Sequence, residues 1–154
     1  MNRIGLDEEA ASQLIKGLDT LLANYQLLYQ NVRGYHWNIR GDKFFELHEK
    51  FETTYTDILT KIDEVAERVL TLGGTPSHSY SAYIETSSIK EHTGVHDGMT
   101  CVSGLLAGYQ TLLQLQRELL SKAAEANDEG TVSLLSDYIA SQEKEVWMLS
   151  SYIA

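Results

Sequence analysis

Apolar residues recur along this chain at the three- and four-residue spacing of α-helices, in four long runs. The first comprises Leu14, Leu18, Leu21, Leu22, Tyr25, Leu28, Tyr29 and Val32. It predicts a helix from about Asp7 to Trp37, with Asp7 as cap and Glu8 and Glu9 complementing the helix dipole. The two tyrosines can pack their rings in that stripe while their hydroxyls seek polar partners. Asn38 to Gly41 interrupt the pattern, and Asp42 is expected to cap a second helix reaching about Leu72. Gly73-Gly74-Thr75-Pro76 ends it, because glycine suits the position after a helix and proline cannot continue one. A long connection then runs from Ser77 to about Asp97, with one short helix expected near Ser81–Ser88. The third run, Val102, Leu105, Leu106, Tyr109, Leu112, Leu113, Leu119 and Leu120, predicts a helix from Gly98 to Ala126. After a break at Asn127, Asp128 is expected to cap a last helix carrying Val132, Leu135, Tyr138, Ile139, Val146, Trp147 and Leu149 inward. A connection of such length needs a reason, and a crossover along the whole length of a bundle supplies one. The expected fold class is all-α: a four-helix bundle with a long connection between helices 2 and 3, in one domain over residues 1–154.

The second helix carries two faces. On a wheel of about 100° per residue, Leu47, Phe51, Ile58, Ile62, Val65 and Val69 share a narrow core stripe. His48, Glu52, Asp63 and Glu67 lie about 120° round, interleaved with Leu59, Ala66 and Leu70. A stripe of leucines among ligand-type residues calls for a partner surface. His48 and Glu67 are about 28 Å apart along the axis, too far to share one ion within a chain. They nevertheless flank residues 57–58 symmetrically, and so do Glu52 and Asp63. If this helix crosses its own copy antiparallel about a twofold axis there, His48 meets the other copy's Glu67, and Glu52 meets its Asp63. His36, at the end of the first helix, can fold back to the same place across the short turn. The expected site is His36, His48 and Glu52 from one chain, with Asp63 and Glu67 from the other.

Taken singly, a histidine on a helix reads as a packing or surface residue, and carboxylates one turn apart read as a solvated face. Two such pairs placed symmetrically on one face read together as a metal site. Imidazole with carboxylate and no thiolate suits iron or zinc and not copper(I).

Composition narrows the function. The chain has 154 residues, one proline and a net charge of −10. Duplex binding rests largely on Lys and Arg neutralising phosphates, so an acidic chain is a poor general nucleic-acid binder, while the same charge suits cations. Cys101 is the lone cysteine, so no internal disulfide forms and it is expected to pack as a small apolar residue. No apolar run of about 18 residues marks a membrane span, and Met1 to Leu6 do not form an apolar signal segment. A cytoplasmic location is expected.

Tyr35-His36-Trp37-Asn38, Leu47-His48-Glu49-Lys50-Phe51-Glu52, Lys61-Ile62-Asp63-Glu64-Val65-Ala66-Glu67-Arg68 and Leu72-Gly73-Gly74 together resemble the Dps family, miniature relatives of ferritin. The resemblance continues through Asn127-Asp128-Glu129-Gly130-Thr131 and Glu143-Lys144-Glu145-Val146-Trp147-Met148-Leu149, and covers nearly the whole chain. It implies a ferritin-like bundle that assembles as a homo-oligomer, a dodecameric cage. It implies a ferroxidase that oxidises ferrous iron, with hydrogen peroxide the preferred oxidant, at sites between twofold-related chains, and stores the ferric mineral inside. The family's iron ligands map onto His36, His48, Asp63 and Glu67. The remaining ligand is usually Asp and here is Glu52, one methylene longer. The Glu-x-x-His pair of the larger ferritins is missing from helix two. The resemblance also implies that Trp37 or Tyr35 intercepts oxidising equivalents, against a plain packing reading for both. It implies that Asp128 and Asp137 line a threefold pore admitting ferrous ions, against a capping reading for Asp128. A second pore carboxylate common in the family is Ser133 here.

DNA binding, the family's other activity, is doubtful for this chain. Members that bind DNA often use a flexible basic tail, whereas here only Arg3 precedes the first helix and the chain ends Tyr152-Ile153-Ala154. Twelve copies would carry about −120 formal charges, which repels phosphate. A nucleoid-protecting protein with a residual iron site is the rival reading. His92 and His96, four apart around Gly94, read as a surface loop and not as a helical metal pair.

Overall fold

The computed structural model describes residues 1–154. Four long helices and one short one make up the fold: α1 (Glu8–Asn38), α2 (Phe44–Thr71), α3 (Tyr80–Thr86), α4 (Gly98–Glu125) and α5 (Glu129–Ile153). Local chemistry sets most of their ends. Asp7 caps α1 by accepting from the Ala10 amide at 2.9 Å, Asp97 caps α4 through Thr100, and Asp128 caps α5 through Thr131.

The start of α2 differs from expectation. Asp42 does not cap it. Gly41 takes a left-handed φ of +112°, and the Phe44 amide closes a turn onto the Gly41 carbonyl at 3.2 Å. That turn places Lys43 at the capping position, where its side chain makes no capping bond. The short helix α3 begins ahead of its expected place because Ser79 caps it through the Ala82 amide.

Short turns make α1 and α2, and α4 and α5, antiparallel neighbours. The long connection from Gly73 to His96 then returns along α1, held by polar rungs that climb both segments together. Asp19 accepts from Ser77. Asn24 Oδ1 accepts from the Ser87 and Ser88 hydroxyls and from the Ser88 and Ile89 amides. Asn31 donates to the Lys90 carbonyl and accepts from the His92 amide, and His96 Nδ1 donates to the Asn38 carbonyl at 2.8 Å. A single backbone bridge between Arg40 and Asp97 ends the climb and starts α4 beside the α1–α2 turn. The crossover therefore runs parallel to α1 over much of the bundle.

Twenty-nine buried residues form one core cluster, including the whole core stripe of α2. Buried polar groups inside it are closed on themselves. Tyr25 donates to Gln116, Gln116 donates to Gln142 at 2.8 Å, and Gln142 donates back to Tyr25 at 2.6 Å. This ring satisfies the phenol that the sequence pattern placed in an apolar stripe. Cys101 is buried as expected, and burial pushes its thiol up to about 11. Trp147 is not in the core: it stands 65% exposed, because α5 turns Val146 and Leu149 inward and sets Trp147 about 100° off that stripe. No helix is long and apolar enough to cross a membrane.

Candidate metal centre at the α1–α2 turn

His36 lies in the last turn of α1 and His48 near the start of α2. The tight turn between them stacks the two imidazoles, with ring centroids 3.8 Å apart and planes 12° from parallel. His36 Nδ1 bonds the His48 carbonyl at 2.6 Å, and His48 Nδ1 bonds the His36 carbonyl at 2.7 Å. A carbonyl only accepts, so each Nδ1 carries the proton and donates. Each Nε2 is then left with its lone pair, the form a metal ion requires. The His36 carbonyl is one of the free carbonyls at a helix C-terminus, so the second bond also caps α1. Phe44 stacks on His48 at 4.8 Å and Tyr55 meets His36 edge-on at 5.4 Å, which fixes both rings.

Glu52, Asp63 and Glu67 are all exposed on α2. Asp63 hydrogen-bonds and repels Glu67 one turn on, and this raises the Glu67 carboxyl above its ordinary value. The structure thus brings together His36 with His48, and Asp63 with Glu67. It does not bring these pairs together: along α2 they are about 22 Å apart, and no three His, Cys, Asp or Glu side chains gather to hold an ion within one chain. Between the pairs the same face shows Leu59 at 49% and Leu70 at 57% exposure.

The other expected residues fall differently. Asp128 is 2% exposed. Its oxygens are taken by Arg68 at 2.6 Å and by the amide and hydroxyl of Thr131. It is a buried cap and ion-pair partner, while Asp137 stands exposed on α5. Tyr35 is buried, with its hydroxyl 2.5 Å from His92 Nδ1, so His92 is a half-buried partner and not free loop surface. Trp37 is 55% exposed and carries the Arg33 guanidinium over its ring at 4.7 Å.

Arg33 is the residue that sequence reasoning missed. It lies within 6 Å of the ring centres of Tyr29, Trp37 and Tyr55, and its Nε is buried without a partner. The four-residue spacing Tyr29, Arg33, Trp37 was the available signal. A cleft of about 570 Å³ opens beside it, between α1, α3 and residues 91–95, and contains none of the five ligand-type residues.

The family model for the ferritin-like domain matches residues 15–154. An uncharacterized protein of Haemophilus influenzae is 55% identical over 148 residues, covering 96% of this chain and 92% of its own length. The DNA protection during starvation protein of Porphyromonas gingivalis is 43% identical, covering 96% and 93%. The crystal structure of the Dps protein from Vibrio cholerae O1, described as a member of a broad superfamily of ferritin-like diiron-carboxylate proteins, superposes with a TM-score of 0.99. It is 53% identical, and the match covers 100% of this chain and 97% of that one. The Dps protein of Bacillus brevis follows at a TM-score of 0.92 and 37% identity, covering 95% and 98%. The chain belongs to the ferritin-like proteins and, within them, to the Dps family.

Proposed function

We propose that this protein is a ferroxidase that detoxifies and stores iron, acting as a dodecameric cage whose iron sites are each built by two chains. The observation that carries the reading is the mutual lock of His36 and His48, which leaves both Nε2 lone pairs unused by that contact, beside a helix that also carries the exposed Glu52, Asp63 and Glu67. Imidazole and carboxylate together suit ferrous iron, and carboxylates favour the harder ferric product. The description of the Vibrio cholerae relative as a diiron-carboxylate protein points the same way.

In the shared site, His36, His48 and Glu52 of one chain face Asp63 and Glu67 of a second copy. Two ferrous ions, as substrate, give one electron each to hydrogen peroxide. The O–O bond breaks, two protons are taken up, and two waters form. Paired electrons spare the single-electron cleavage that releases hydroxyl radical. Asp137, exposed on α5, is the remaining candidate for guiding ferrous ions through a pore, since the Asp128 carboxylate is taken by Arg68 and Thr131.

The test is peroxide-driven oxidation of ferrous iron by the wild type and by the double variant His36→Ala/His48→Ala. Fast oxidation in the wild type and slow oxidation in the variant supports the reading. Equal, slow rates in both sink it.

A further inference from the structure

We propose that the cleft beside Arg33 is a binding site for a small aromatic carboxylate: the guanidinium takes the carboxylate, and the apolar rim formed by α1 and α3 takes the ring. The inference goes beyond the ferroxidase reading and does not rest on it.

Arg33 is the anomaly that points to a ligand. Its Nε is the one buried side-chain nitrogen or oxygen of the chain without a hydrogen-bond partner. Arg68 and Arg117 each pair with a carboxylate, whereas Arg33 forms no ion pair. A half-buried guanidinium left without an acceptor is costly, so its place in the fold needs a reason. Three rings hold it: its central carbon lies 4.7 Å from the ring centre of Trp37, 5.3 Å from that of Tyr29 and 5.9 Å from that of Tyr55. The rings attract the charge but offer no acceptor to the N–H groups. The fork of in-plane donors is therefore fixed in place and free for a planar, bidentate acceptor, and a carboxylate is one.

The cleft supplies the rest. Its volume of about 570 Å³ is that of a small-molecule site. Arg33 lines it, and no residue of α2 does. Trp37, Tyr80 and Ile84 also line it and stand 55%, 82% and 49% exposed. Large apolar side chains exposed singly are ordinary, but three around one cleft mark a binding surface. Tyr80 and Ile84 are one turn apart on α3 and present one edge. Their helix is anchored, because Ser79 caps it and the Tyr83 hydroxyl donates to the Ser77 carbonyl at 2.7 Å.

Charge selects among anions. Arg33 is the only lysine or arginine in the lining, and the carboxylate of Glu91 lines the same cleft. One fixed cation with a carboxylate nearby favours a monoanion over phosphate, whose second charge would meet no partner. Phosphate would also leave the apolar rim uncovered, whereas a flat ring packs on the tyrosine and tryptophan rings. The exposed amide of Gln30, also in the lining, can meet a hydroxyl on such a ring.

The experiment uses the assembled, iron-free protein, with 2-naphthoate as the probe, 2-naphthamide as its neutral isostere, and isothermal titration calorimetry as the readout. The wild type is expected to bind one naphthoate per chain, and the amide about 10–100-fold more weakly. Arg33→Gln keeps donors but loses the charge, so it should lower naphthoate to the level of the amide and leave the amide unchanged. Tyr80→Ala removes part of the rim and should weaken both probes by the same factor. Equal binding of the two probes by the wild type overturns the proposal, as does an Arg33→Gln variant that binds naphthoate as the wild type does. If Arg33→Gln does not fold, the preference of the wild type for the carboxylate, with the equal loss in Tyr80→Ala, decides alone. A wild type that binds neither probe also overturns the proposal. If the assembly of Arg33→Gln then falls apart in native mass spectrometry, the guanidinium belongs to a carboxylate of a second copy instead.

Discussion

The imidazole of His36 donates to the backbone carbonyl of His48, and the imidazole of His48 donates to the carbonyl of His36. Neither ring can turn away without leaving a carbonyl of the other's residue without that partner. One contact thus orients two Nε2 atoms and ties the end of α1 to the start of α2. Replacing His48 by Ala is expected to slow ferrous oxidation by at least about 10–100-fold, the range seen when a metal site loses even an orienting partner. It should also lower stability by about 1 kcal/mol through loss of the α1 cap. Stopped-flow absorbance with peroxide and urea unfolding check the two effects separately. A normal rate with lowered stability would show the lock to be structural alone.

The rung at Asn24 predicts a stability effect without a functional one. Its Oδ1 accepts four hydrogen bonds from residues 87–89, and its own amide donates to the Thr20 carbonyl. Asn24→Leu is expected to destabilise the fold by on the order of 3 kcal/mol, because several part-buried donors lose their acceptor at once. The urea midpoint should fall, while the rate of ferrous oxidation by the folded fraction stays at the wild-type value. An unchanged midpoint would mean that the connection is held by something other than this rung.

Asp97 gives a pH dependence with a definite sign. As the cap of α4 it accepts from the Thr100 amide and hydroxyl, and these bonds lower its carboxyl below the ordinary 3.8. A carboxyl depressed in the folded state contributes stability that is fully present above 3.8 and is lost as pH falls through its lower folded value. The melting temperature of Asp97→Ala should therefore trail the wild type at pH 6, and the gap should narrow as the pH drops below about 3.8. A gap of constant size down to pH 2 would show that the carboxylate charge plays no part.

These particulars show what was legible beforehand. Helix positions, the caps at Asp7 and Asp128, and the core stripe of α2 were readable because they depend on neighbours a few residues away. The nearness of His36 and His48 was readable for the same reason, since only a short turn separates their helices. Their reciprocal bonding was not, because its acceptors are backbone carbonyls, which every residue carries. Asp42 failed as a cap because Gly41 takes a left-handed turn that shifts the helix start. The Asn24 rung and the Tyr35–His92 pair join residues about 60 positions apart, with no periodic signal to announce them. Asp128 was readable as a cap, but its role as the partner of Arg68, 60 positions away, was not.

Net charge predicts the outcome with DNA. At −10 per chain, the protein repels phosphate, and binding that depends on released counterions has few basic groups to draw on. A gel-shift at physiological salt without divalent metal is expected to show no complex with linear duplex. Tight binding under those conditions would restore the rival reading, in which the protein protects DNA by coating it.

The symmetry of α2 yields the most discriminating prediction. His48, with His36 of α1 stacked on it, lies near one end of α2, and Asp63 and Glu67 lie about 22 Å along the helix, so no single chain brings them together. Consider two inactive variants, His36→Ala/His48→Ala and Asp63→Asn/Glu67→Gln. A twofold dimer of either alone has both sites damaged. A mixed dimer has one site with every altered residue and one with none, because the histidines of the second variant face the carboxylates of the first. With random pairing half the dimers are mixed, and each carries one intact site of two. Unfolding and refolding an equal mixture should therefore restore about a quarter of the wild-type rate per chain, while each variant refolded by itself stays inactive. Native mass spectrometry confirms that mixed dimers form. Mixed dimers with no recovered oxidation would mean that the iron site does not cross between chains, and the twofold assignment of His48 against the second copy's Glu67 would fall with it.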